Sequence, residues 1–185
     1  MSTLTRMPVL ESSHLIIREL KPRDAVDFAA YMLREDYQRH IAVRLSSEEA
    51  VQGQVIRAVA RQNAKERTAF YVAGELKATG VVIADGFILC RGKLAEIGWG
   101  VHPDHWGHGI GKELARALLA LTFERLNCSR AWSKVMAGNT ASLRLARSIG
   151  LKPVKTHPDY PVAKGRFEAI EFFTMESRTY FEAAY

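Results

Sequence analysis

Little in this chain offers covalent or metal chemistry. Its 185 residues hold two cysteines, Cys90 and Cys128, at no metal or redox spacing, which excludes a disulfide scaffold and suits a reduced cytoplasm. Proline numbers 6 and aromatic residues make up 9%, and no proline-rich linker, repeat or low-complexity tract interrupts the chain. Lys+Arg 26 against Asp+Glu 20 gives a net charge of +6, but the basic residues are scattered. That balance favours anionic partners in general, and without a basic patch or stacking platform a nucleic-acid binder ranks last among the readings. No apolar stretch approaches the ~20 residues of a membrane span, and residues 1–10 lack a signal-peptide core. The expectation is a single cytoplasmic domain with no membrane, nucleic-acid or metal partner. With 48% hydrophobic and 25% charged residues it has the composition of an ordinary packed core.

What the chain does have is a glycine-crowded join at Trp106, Gly107, His108, Gly109, Ile110, Gly111 and Lys112. Residues 94–101 before it alternate as a strand, and residues 109–126 after it carry Ile110, Leu114, Ala117, Leu118 and Leu121 on one helical stripe. Glycine permits positive φ and removes side chains that would collide with a ligand. The first amides of a helix have no internal partner and sit at its positive dipole end. A strand, a glycine loop and a helix start together predict a cradle for a pyrophosphate. A Walker loop is excluded, since Lys112 is followed by Glu113, and the dinucleotide fingerprint needs different glycine offsets.

In chain order, residues 1–13 read as a loose arm and 14–20 as a strand. Pro22 and Asp24 open a helix running to Leu33, and Ser46 with Glu49 forms a capping box for a second helix toward Lys65. Residues 70–73 and 78–84 predict a hairpin around Gly74, with a second turn at Asp85-Gly86. A strand at 129–135 and a helix at 139–149, buried through Ser142, Leu145, Ala146 and Ile149, follow. Strands at 151–156 and 169–175 flank a loop that begins with His157 to Pro161 and continues through Gly165.

The loop resembles the acetyl-coenzyme A loop of the GCN5-related N-acetyltransferase (GNAT) superfamily, Arg/Gln-x-x-Gly-x-Gly/Ala. Gly109 and Gly111 match it, and Trp106 in place of Arg/Gln is a departure shared by the ribosomal-protein N-terminal acetyltransferase (RimJ/RimL-like) branch. Leu15, Arg18, Leu20, Asp24 and Ala25 are similar to the first strand and helix of that branch, and Glu96-Ile97-Gly98-Trp99 to its Glu-Ile-Gly-Tyr segment. The resemblance implies an α+β fold over residues 14–179, with a mixed, mostly antiparallel sheet of about seven strands splayed at its middle and helices on both faces. It implies acetyl-CoA as cosubstrate, an amine acceptor on a peptide or small molecule, direct attack in a ternary complex, and frequent homodimers.

Acetyl transfer to an amine needs positioning, oxyanion donors and one base, because an alkyl ammonium is protonated near neutral pH. Glu96 is the candidate base, on the strand face opposite Ala95, Ile97, Trp99 and Val101. Gly98 and Gly100 fit a bulge or splay, and by resemblance Val101 pairs with the pantetheine arm. Asn139, itself a good helix cap, matches with Ser142 the family's Asn-x-x-Ser beside that arm. Ala146 occupies the place of the usual tyrosine acid, leaving Ser142 or water to protonate the thiolate. His102, His105 and His108 straddle strand, loop and helix and are expected to diverge rather than hold zinc. Tyr37, Tyr160 and Arg166 stand in segments expected to flank an acceptor. A non-catalytic acyl-CoA-binding sensor is the alternative.

Overall fold

The computed structural model describes residues 6–183. The short β1 (Leu10–Glu11) pairs antiparallel with β2 (Leu15–Glu19). Three helices follow: α1 (Asp24–Met32), the single-turn α2 (Glu35–Gln38) and α3 (Glu48–Ala60). The antiparallel meander β3 (Ala69–Leu76), β4 (Val82–Arg91) and β5 (Leu94–Val101) leads through the glycine loop into α4 (Ile110–Ala120), which ends in a wider π turn. The chain closes with β6 (Arg130–Met136), α5 (Thr140–Ser148), the long hairpin β7 (Lys152–Ala163) and β8 (Arg166–Glu176), and α6 (Ser177–Ala183). The strands form one sheet in the order β1-β2-β3-β4-β5-β6-β8-β7. Every neighbouring pair is antiparallel except β5 with β6.

Helices cover both faces. On one, Leu114 and Leu118 of α4 and Ala146 of α5 pack on Ala95, Ile97 and Phe173, all essentially inaccessible to water. On the other, Phe28, Tyr31, Val51 and Val55 pack on Ala73 and Val82. The Arg18/Asp24 pattern is a buried ion cluster: Arg18 donates to both oxygens of Asp24 at 2.8 and 2.9 Å and to Glu75 at 2.8 Å. With 7% and 2% of their side chains exposed, the first two tie α1 to β2.

Five expectations change. The sheet has eight strands rather than about seven, the extra one being β1. It lies in the expected loose arm, where Met7 is also buried; residues 1–5 of that arm lie outside the described residues. The β3–β4 turn falls at Gly80, φ 72°, not at Gly74, which sits within β3 at a register shift. Asp85-Gly86 is mid-strand rather than a turn, because two tyrosine hydroxyls satisfy the Asp85 carboxylate. A Cβ at Gly86 would stand 3.1 Å from both Leu118 and Val72, so glycine there lets α4 approach the sheet. Residues 157–161 are strand rather than loop: β7 is an edge, where Pro153, Pro158 and Pro161 need not donate to the ladder, and its register shifts absorb them. The cap of α3 is Ser47, one residue later than expected, accepting from Ala50 N at 3.3 Å.

Candidate active site

The site is built where two parallel strands part. β5 and β6 pair only at Leu94–Glu96 with Arg130–Trp132, although both run on for several residues. His102 N donates to Ile83 O at 2.8 Å, so alternation turns the amides of Gly98 and Gly100 toward β4. Those of Ile97, Trp99 and Val101 face the gap. The Val101 carbonyl is already taken by Trp106 Nε1 at 2.8 Å. The gap opens into a cleft of about 840 Å³ whose lining includes Tyr37, Lys112, Asn139 and Tyr160.

Gly98 and Gly100 form no bulge, since the β4–β5 register is unbroken along its length, but they lie where β5 and β6 splay, the other arrangement expected of them. Their role is to make room. A Cβ at Gly98 would fall inside the Phe87 ring, and one at Gly100 would fall on the Tyr37 hydroxyl and the Asp85 carboxylate. The face of β5 that carries Glu96 therefore continues as bare backbone under three side chains from elsewhere.

The glycine loop presents donors. Gly107 and Gly109 are left-handed, at φ 80° and 82°, with open space where a Cβ would project. The amides from Gly107 to Gly111 donate to no acceptor among the described residues. They sit at the start of α4, where Ile110, 3% exposed, anchors the helix in the core. This arrangement fits a diphosphate. Lys112 lies half-buried on the cleft wall, Trp106 is 51% exposed beside it, and His108 is exposed and outside that wall. Gly111 has a different reason from its neighbours: a Cβ there would stand 3.1 Å from Leu145, so it brings α4 close to α5.

Asn139 caps α5, its Oδ1 accepting from Ser142 N at 3.1 Å, and both residues line the cleft. Ser142 is half-buried at that wall rather than on the packed stripe, which consists of Leu143, Ala146 and Ile149. Ala146 is wholly buried and offers no proton.

Glu96 lies in the cleft, 14% exposed, with Lys134 Nζ 3.2 Å from its Oε1. Lys134 also stands 5.9 Å from the Trp132 ring and 5.8 Å from the Tyr160 ring. Arg166 is a strut, donating to Ile41 O at 3.0 Å and paired with Glu168. His102 and His105 do not diverge: their rings meet edge to face at 5.6 Å, and His102 Nδ1 accepts from Asp104 N. Burial lowers the His102 proton affinity. No cluster of three metal-ligating side chains occurs among the described residues.

Sequence reasoning missed Asp85 altogether. Its Oδ1 accepts from Tyr31 at 2.9 Å and from Tyr37 at 2.7 Å. Burial pushes the Asp85 carboxyl above its ordinary range despite those two bonds. Burial, and next the charge of Asp85, push both tyrosines well above theirs. The Asp-Gly pair resembles a turn signal, and only the cross-strand partners mark it as anything else.

Residues 14–152 match the sequence model of the acetyltransferase (GNAT) domain. An uncharacterised N-acetyltransferase p20 of Bacillus licheniformis is 35% identical over 86 residues, 46% of this chain and 48% of that protein, so the match spans about half of the relative. The uncharacterised N-acetyltransferase YoaA of Bacillus subtilis is 26% identical over 149 residues, 78% of this chain and 83% of its own. Among solved structures, a ribosomal-protein-S5-alanine acetyltransferase of Vibrio fischeri superposes with TM-score 0.81 at 18% identity, covering 92% of this chain and 97% of that one. A spermidine N-acetyltransferase SpeG chimera, from Vibrio cholerae and hSSAT, gives 0.75 at 15% identity, covering 91% and 99%.

Proposed function

Because the chain belongs to the acetyltransferase (GNAT) domain family, we propose that it moves acetyl from acetyl-CoA to a primary amine by direct attack in a ternary complex. The observation that carries this reading is the pair formed by unbonded loop amides and parted strands. The amides of Gly107 to Gly111 would hold the diphosphate, with Lys112 beside them. The gap-facing amides of Val101, Trp99 and Ile97 would take the pantetheine arm and its carbonyl, between Trp106 on one side and Asn139 and Ser142 on the other. An oxyanion met by fixed backbone donors in a narrow cleft needs no reorganisation as charge develops.

Glu96 is the proposed proton acceptor. It projects into the cleft where β5 and β6 begin to part, and an incoming ammonium would displace Lys134 as its partner. The acceptor would enter beside Tyr37, His40 and Tyr160, which line the same cleft. It is an amine on a protein N-terminus or on a small molecule; fold does not choose between them. The Vibrio relatives include one named for a ribosomal protein and one for spermidine, and both acceptor types belong in the assay.

The test is thiol release from acetyl-CoA across N-terminal peptides, polyamines and aminoglycosides, for the wild type and Glu96→Gln. Acceleration by at least one amine is expected, with a loss of about 10²- to 10⁴-fold in the variant and coenzyme binding retained. If no amine accelerates release while coenzyme A binds, the protein is an acyl-CoA sensor instead.

A further inference from the structure

Resting on the acetyl-transfer reading above, we propose that Lys134 is itself an acceptor, acetylated within its own chain when acetyl-CoA is bound and no external amine is present. Its ammonium stands where an incoming amine would have to stand. Nζ lies 3.2 Å from Glu96 Oε1, and both side chains line the cleft.

The sheet puts it there. β5 and β6 pair in parallel with Glu96 beside Trp132, and that is their last bonded step. Two residues further on, Lys134 of β6 and Gly98 of β5 stand on opposite sides of the gap, on the sheet face that carries Glu96. Ile97 and Trp99, whose amides would take the thioester carbonyl, flank Gly98 in the chain. Along the strand direction the amine, the base and the carbonyl donors fall within about 7 Å of one another. Among the described residues one other lysine lines the cleft, Lys112, and it belongs to the loop that would hold the diphosphate. Lys152, Lys155 and Lys164 are exposed and lie outside that lining. An amine held inside the cleft has an effective concentration that a solvent lysine cannot match. The Trp132 and Tyr160 rings, 5.9 and 5.8 Å from Nζ, give the neutral product an apolar wall to pack on.

The step balances without a further reactant. The Lys134 ammonium gives one proton to Glu96, and the free amine attacks the thioester carbonyl carbon. The C–N bond forms and the C–S bond breaks. The second proton leaves the nitrogen through water and ends on the thiolate, and Glu96 returns the first to solvent. One ammonium and one thioester become one acetamide, one thiol and one proton. The acetamide carries no charge, so the modification removes the cation that now holds Glu96. An external amine, when present, displaces Lys134 from Glu96 and takes the acetyl group in its place.

The test incubates the protein with acetyl-CoA and no amine, following intact mass, peptide maps and thiol release. One acetyl group per chain is expected, on Lys134, with one thiol released and a rate independent of protein concentration. Lys134→Arg should take up none and Lys155→Arg as much as the wild type, while Glu96→Gln should react about 10²- to 10⁴-fold more slowly. Acetyl already on Lys134 in the isolated wild type supports the proposal if Glu96→Gln prepared alike lacks it, and overturns it if Glu96→Gln carries as much. The proposal also falls if Lys134 is bare both as isolated and after incubation, if acetyl spreads over the exposed lysines, or if uptake scales with protein concentration. Thiol release with the amine panel separates the two claims. Turnover of an amine by a protein whose Lys134 stays bare sinks the lysine alone, whereas neither turnover nor uptake sinks the acetyl-transfer reading as well.

Discussion

Replacing Gly109 by alanine isolates backbone strain from steric collision. At φ 82° an L side chain costs about 1–2 kcal/mol, and nothing lies within 4 Å of the new methyl group to add to that. A protein of this size loses about 2–4 °C of Tm per kcal/mol, so the unliganded variant should melt about 2–8 °C lower if the loop keeps its shape. If the loop relaxes instead, stability recovers but an amide turns away from the diphosphate. One lost hydrogen bond to a charged group is about 1.5–3 kcal/mol, or roughly tenfold to a hundredfold in coenzyme A affinity. Scanning calorimetry without ligand and titration calorimetry with coenzyme A separate the two routes. Gly111→Ala is the internal control. It has ordinary φ, alanine is the better helix former by about 1 kcal/mol, and only the flexible tip of Leu145, 3.1 Å away, has to give. It should melt within about 2 °C of the wild type. A Gly109→Ala protein matching the wild type in both melting and affinity would refute the argument.

Arg18→Met, which leaves Asp24 buried without its cation, should cost about 3–5 kcal/mol in urea unfolding, with Glu75 also unpaired. Asn139→Ala removes the α5 cap and should cost about 1 kcal/mol, visible in the same melts. Asp85→Asn should make the protein more stable at pH 7. The sign follows from the raised proton affinity of Asp85: its favourable contribution is complete below the unfolded-state value and is lost as pH rises through the folded-state one. The stability gain in the variant should therefore vanish by about pH 3, near or below the unfolded aspartate value, and a gain that is flat with pH would contradict it.

Local signals carried much of the architecture. The strand at Leu94–Val101 and the helix from Ile110 stood out because their apolar spacings of two and of three to four residues are unambiguous. The same held for the Asn139 cap, whose acceptor and donor are three residues apart. Errors arose where a residue type has two uses. Asp85-Gly86 carries turn chemistry, yet Gly86 serves the approach of Leu118, and Asp85 serves hydroxyls that follow from residues 48 and 54 positions away. Likewise Cys90 and Cys128, unpromising by spacing, meet at 3.9 Å between sulfurs.

The sequence by itself determined most of the elements, the glycine loop and the family likeness, because propensity, periodicity and capping act within a few residues of chain. Tertiary structure alone decided that β5 and β6 part after Glu96, that Gly98 and Gly100 yield space to Phe87, Tyr37 and Asp85, and that Lys134 holds Glu96. Those contacts join segments dozens of residues apart. Their geometry is fixed by how the sheet pairs and by which side chains must share its surface.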